Sequence, residues 1–181
     1  MTEELSLRPG FNLDAAFRGH LSSVRRIVYN RRTRHFVSCD EHCLVQWSAE
    51  PDGTTRVHHD IQFPNYQSNF ITSCVLSQDL NLLFAACLDD NLRLYNERLR
   101  LKSCMPWSNG VVREMLFYEK RHLLVTAGSY GVKVWECLLD YEAFRLDKTS
   151  DLFDVPKIKD GSVLPWCFGK YQHVRLRATL K

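Results

Sequence analysis

The stretch that decides the fold is residues 17–48, FRGHLSSVRRIVYNRRTRHFVSCDEHCLVQWS. It opens on Gly19-His20 and closes on Trp47, with His20 and Trp47 27 positions apart. Between them, VRRIVY at 24–29 and HFVSC at 35–39 are two apolar runs split by a basic turn, Asn30–Arg34. A tight corner at 40–42 leads into CLVQW at 43–47. Turns this closely spaced, with β-branched and aromatic residues between them, exclude an amphipathic helix and give short antiparallel strands. Glu50-Pro51-Asp52-Gly53 is a strong turn, because Pro presets φ at its second position and Gly tolerates positive φ. TTRVHHDI at 54–61 then completes a four-stranded sheet.

The same order returns twice. ITSCVLS at 71–77, LLFAAC at 82–87, LRLY at 92–95 and RLRLKSC at 98–104 retrace it with turns at 78–81 and 89–91. VVREMLFY at 111–118, LLVTAGS at 123–129 and VKVW at 132–135 retrace it again, with a turn at 119–122 and Tyr130-Gly131. The terminal aromatics Trp47, Tyr95 and Trp135 are 48 and 40 positions apart. These intervals bracket a repeat of about 40–45 residues, the period of a four-stranded blade.

Over residues 17–140 the chain resembles the WD-repeat β-propeller family in three divergent units, at about 17–61, 70–104 and 111–146. The resemblance implies an all-β fold of antiparallel four-stranded blades. A ring in that family usually has seven blades, so three imply an incomplete propeller, as a fragment, a shortened isoform or one part of an assembly of chains. Residues 1–16 are expected to be a leader, with FNLDAAF at 11–17 as an outer strand. CLLDYEAFRL from Cys137 is expected as a last outer strand, and residues 147–181 as linker and tail or part of a fourth blade. Pro165 argues against a central strand there, since proline cannot donate to a ladder.

In that family a histidine, a hydroxyl, an aspartate and the Trp form a hydrogen-bonded structural tetrad. The matching residues here are His20, Ser38, Asp40 (or Glu41, on the other register) and Trp47, and Trp47 is expected to be buried with its indole N–H paired. The second unit keeps Asp89 but has Tyr95 for the Trp and Ala85-Ala86 at the hydroxyl position. The third keeps Thr126 and Trp135, with Asn109-Gly110 in place of Gly-His and Ser129 in place of the aspartate.

At 181 residues with 45% hydrophobic content the chain is long enough to bury a sizeable core, and a net charge of +3 is too mild to demand a nucleic-acid partner. No apolar run approaches the roughly 20 residues that cross a bilayer, and the stretch MTEELSLRPG is not a secretory signal. The expectation is an intracellular protein, with the cytoplasm favoured over the nucleus and no membrane partner. Seven cysteines form an odd set without paired spacing, which reads as reduced thiols. His35, Cys39, His42 and Cys43 are metal-ligand types, but no second pair follows, so they read as strand and turn residues and no metal is expected. There is no phosphate loop, nucleophile elbow or oriented Cys/His pair, so no catalytic residue, no cofactor and no enzyme is expected.

Arg31, Arg32 and Arg34 share one turn and therefore one rim, a candidate docking surface, and Arg98, Arg100 and Lys102 make a second basic patch. The expected function is a non-enzymatic protein-interaction scaffold of WD-repeat type, with other proteins as partners. The alternative is a nucleic-acid or chromatin-associated binder using the Arg-rich rim. Three blades leave two sheet faces unpaired, so the chain is expected to associate with itself or with a partner that supplies missing blades.

Overall fold

The structure, a computed structural model, describes residues 13–63, 70–107 and 110–137 and the backbone of 174–180. Twelve strands form three antiparallel sheets of four among the described residues. The first comprises β1 (Arg26–Asn30), β2 (His35–Cys39), β3 (Cys43–Ala49) and β4 (Thr55–Gln62). The second comprises β5 (Ile71–Ser77), β6 (Leu82–Cys87), β7 (Asn91–Tyr95) and β8 (Leu101–Pro106). The third comprises β9 (Val112–Tyr118), β10 (Leu123–Gly128), β11 (Gly131–Cys137) and β12 (Val174–Leu180). In each sheet the strands lie in chain order, and the first strands stand side by side, β1 against β5 and β5 against β9. The fold is an incomplete propeller.

The registers superimpose the three units. Asn30↔His35, Ser77↔Leu82 and Tyr118↔Leu123 close the first hairpin of each sheet. Each of those turns ends on a left-handed residue just before the second strand: Arg34 at φ 61°, Asn81 at 52° and His122 at 47°. In the first two sheets the turns between third and fourth strands also carry a left-handed residue, two positions before the fourth strand: Gly53 at φ 79° and Leu99 at 54°. Only at Gly53 is that conformation free of steric cost, so the other turns are held by their surroundings. At one register of the first strands, Arg26 forms a hydrogen bond to Ser73 and an ion pair with Glu114, joining β1, β5 and β9.

Side chains alternate across each strand, and the second sheet is covered on both faces. Toward the first sheet, Cys74, Leu76 and Tyr95 pack with Val37, Cys39 and Leu44. Toward the third, Phe84, Leu92 and Leu94 pack with Met115, Phe117 and Leu124. Phe84 stacks on Phe117 with ring centroids 5.2 Å apart. Every residue of β6 is therefore buried, and its sequence LLFAAC is a continuous apolar run instead of an alternation.

Two expectations change. Residues 13–17 form no strand, the rest of the leader lying outside the described residues. The outer strand of the third sheet is β12, taken from the stretch read as linker, tail or partial fourth blade. It pairs with β11 from Val132↔Leu180 to Cys137↔Val174, with a bulge between Val134 and Trp135. VRLRATL is short and carries β-branched residues, as a strand requires, but no hairpin turn ties it to its partner in sequence. The outer strand expected from Cys137 lies, beyond that residue, outside the described residues, as does Pro165.

Removing a side chain from a covered face must cost more than removing one from an open face. Phe84→Ala is expected to lower stability by about 3–5 kcal/mol. Leu116→Ala, on the outward face of β9, is expected to change the stability of the dilute, unassociated chain by less than about 0.5 kcal/mol. Urea unfolding of both variants checks the contrast.

Candidate functional site

The corner between β2 and β3 is built around Asp40, which is completely buried. Its Oδ1 accepts the backbone N–H of His42 (2.6 Å) and of Cys43 (2.7 Å), and its Oδ2 accepts those of Leu21 (3.0 Å) and Ser22 (3.2 Å). The carboxylate thus ties its own corner to the segment that enters the first sheet. Burial works to raise its pKa, but the backbone N–H donors outweigh that and hold it at about 2.

His20 places Nδ1 3.3 Å from Asp40 Oδ2 and Nε2 2.6 Å from Ser38 Oγ. Trp47 Nε1 donates to the same Ser38 Oγ at 3.0 Å. An ionised carboxylate only accepts, which favours the proton on Nδ1. Ser38 then accepts from the indole and donates to Nε2, so every member is satisfied. The structure thus brings His20, Ser38, Asp40 and Trp47 together, and it selects Asp40 over Glu41, which pairs instead with Arg25.

Trp47 is half-buried, contrary to the expectation of burial. The reason is its face. Tyr95 and Trp135, at the matching positions, lie in the cores against the preceding sheet, and among the described residues no sheet precedes the first. Phe17 takes that place, stacking on Trp47 at 4.9 Å while Phe36 stacks at 4.8 Å. Trp107 plays a similar part for Trp135 at 5.3 Å. These two covering aromatics escaped the sequence reading, although each precedes a Gly by two or three positions, as Gly19 and Gly110 show.

The other sheets keep pieces of the network. In the third, Trp135 Nε1 donates to Thr126 Oγ1 at 3.0 Å, across the same nine-residue interval as Trp47 and Ser38. In the second, Ala85 stands where the hydroxyl would be, and Asp89 forms an ion pair with Arg93.

His20, Asp40 and Cys43 also bring three potential metal ligands within 4.8 Å of one another. Their protons and lone pairs are committed, however. Asp40 spends both oxygens on backbone donors, and burial, with Asp40 beside it, pushes the Cys43 thiol up to about 12. The cluster His35, Cys39, His42 and Cys43 is not assembled. His35 stacks on His58 at 3.8 Å, His42 meets the edge of Phe70, and Cys39 Sγ lies 3.5 Å from Cys74 Sγ.

The candidate docking rim is formed by the first turn of each sheet. Arg31, Arg32 and Arg34 are exposed, and among the described residues none has a carboxylate within ion-pair distance. Their backbone is nonetheless fixed. Asn30 Oδ1 accepts the N–H of Arg32 (3.0 Å) and Thr33 (3.2 Å), and Asn30 Nδ2 donates to Asn81 Oδ1 (2.8 Å). Gln78 Oε1 accepts from Arg31 N at 3.0 Å, and Gln78 N donates to Glu119 Oε1 at 2.6 Å. The three turns are laced into one surface. Arg98 and Arg100 lie on the same rim, reached through the Asn81–Glu97 hydrogen bond. Arg25 and Arg26 do not belong to it, since both point into ion pairs elsewhere.

Comparison with known proteins agrees with this architecture. Residues 54–96 match the family model described as "WD domain, G-beta repeat". The fold is similar to the solved structures titled "Structure of U3-55K" and "Crystal structure of RRP9 WD40 repeats". Each matches with a TM-score of 0.55 and 20% identity over 66% of this chain and 37% of the other. The chain therefore spans little more than a third of their length. No curated protein sequence matches it significantly. The resemblance to WD-repeat propellers holds: residues 54–96 match the repeat, and the fold is that of an incomplete WD40 propeller.

Two outcomes follow from the network. Trp47→Ala is expected to cost about 2–4 kcal/mol, and Trp135→Ala about 3–5 kcal/mol, because Trp47 keeps part of its surface in water. Chemical denaturation of the pair measures the difference. Asp40 has a folded pKa of about 2 against an ordinary 3.8. Its contribution of about 2 kcal/mol is complete above the ordinary value and is lost as pH falls toward the folded one. Stability measured across that acid window should fall in the wild type and lie flatter in Asp40→Asn.

Proposed function

We propose that this chain is a non-enzymatic protein-interaction scaffold whose docking surface is the rim carrying Arg31, Arg32 and Arg34. The observation that carries the reading is three exposed guanidiniums without carboxylate partners among the described residues, on turns whose backbone is fixed by hydrogen bonds. A positive, preorganised surface of this kind fits an acidic segment of another protein, to which guanidinium pairs bidentately. The WD repeat at 54–96 and the propeller fold support the scaffold class. The non-enzymatic part rests on the site chemistry, in which Asp40, His20 and Cys43 are committed to structural bonds. The His20–Ser38–Asp40–Trp47 network acts in this reading as the clamp that fixes the first blade. The six cysteines among the described residues are free thiols, consistent with an intracellular setting, the cytoplasm being favoured.

The test uses a fluorescein-labelled oligo-glutamate peptide and a duplex DNA oligonucleotide as probes. The peptide should bind, and R31E/R32E/R34E should weaken it at least about tenfold while each substitution changes stability by no more than about 0.5 kcal/mol. DNA binding that exceeds peptide binding and falls steeply with salt would favour the nucleic-acid reading instead. Peptide binding unchanged by the triple substitution would remove the rim as the docking surface.

A further inference from the structure

The two ends of the arc present faces of opposite kind. On the registers given above, Ile27 and Tyr29 of β1 match Cys74 and Leu76 of β5 and Met115 and Phe117 of β9. Cys74, Leu76, Met115 and Phe117 are buried against the preceding sheet, with 2–8% of their surface exposed. Ile27 and Tyr29 are 54% and 43% exposed. At the other end, Leu116 of β9 matches Val28 and Val75, which pack against the following sheet, yet Leu116 is 63% exposed. Beside it, across the ladder, stand Val125 and Val134, also on the outward face. The first sheet thus offers the face that a preceding blade would cover, and the third sheet offers the face that a following blade would cover.

We propose that a second copy of this chain closes the ring, the third sheet of each copy packing on the first sheet of the other. Three blades alone cannot bring these faces together, because closed propellers need about 4–8 blades. Two copies of three give six. The contact is heterologous and repeats twice around a two-fold axis along the propeller, so it closes without leaving an open face. Area favours closure over an open chain of copies. From strand spacing, one face covers roughly 300 Å². A single junction then buries about 600 Å² in total, below what a stable interface requires, whereas the two junctions of a ring bury about 1,200 Å², at its threshold. The segment with Phe17 and His20 covers only the outer part of the first face, and the inner strand with Ile27 and Tyr29 is left open. This inference does not depend on the rim reading, which concerns a different surface.

Size-exclusion chromatography with light scattering on the full chain decides it. The expected mass is about 42 kDa, twice the 21.2 kDa of one chain, falling toward one chain on dilution. Leu116→Asp and Ile27→Asp should each shift the wild-type dimer to monomer, because each spoils one partner of the same junction. Circular dichroism confirms that each variant is folded. The wild type alone supplies a second measurement, since its Tm should rise with protein concentration. A monomer of concentration-independent Tm that binds no hydrophobic dye overturns the proposal. Sensitivity to only one of the two substitutions, or a ladder of larger species, overturns the closed ring as well.

Discussion

A β-sheet has two faces, and in this chain apolar residues stand on both faces of the inner strands. That constraint governs the rest of the structure. The second sheet meets it through its neighbours, and its strands bury residues from both sides. The first sheet meets it halfway, by laying Phe17 and His20 over Trp47. The outward face of the third sheet, with Leu116 and Tyr118, is open among the described residues. Apolar surface of this order stabilises strongly once removed from water, at about 25 cal/mol per Å². What covers the terminal faces therefore sets the stability of the whole arc.

The Asp40 network explains why the first sheet tolerates an incomplete covering. Four backbone N–H groups converge on a single buried carboxylate, and two of them belong to the segment that carries Phe17 and His20 to the sheet. A chain segment without strand structure is thus held by its backbone donors instead of by a ladder. In the second sheet the Asp89–Arg93 pair stabilises its own corner. There a neighbouring sheet supplies the cover, and a complete network is not required. The divergence of the repeats follows position in the arc.

Much of this was legible in the sequence. The turns at Asn30–Arg34 and 50–53 and the apolar runs between them placed eleven of the twelve strands, because strand periodicity and turn chemistry are local signals. The four residues His20, Ser38, Asp40 and Trp47 stood in a pattern dense enough to be picked out, whereas the choice between Asp40 and Glu41 needed the register of the corner. Partial exposure of Trp47 was not legible, since it depends on whether another sheet covers that face. Nor were Phe17 and Trp107 as covering aromatics, because nothing local distinguishes a stacking partner from a loop residue. The strand β12 was missed for a related reason: its pairing with β11 spans a long sequence separation, and no turn announces it.

The family repeat at 54–96 runs from β4 to just past β7, so one sequence unit straddles two sheets. The third sheet carries the same dependence further, taking its edge from Val174–Leu180. During synthesis the first two sheets are complete in the nascent chain well before that edge exists. At translation rates of about 5–20 residues per second, the stretch from 138 to 180 takes roughly 2–9 s to emerge. Through that interval β11 stands as a bare edge, with its backbone donors and acceptors open to any extended peptide nearby. β12 is the strand that ends the exposure, so the arrival of residues 174–180 sets when the third sheet can be completed.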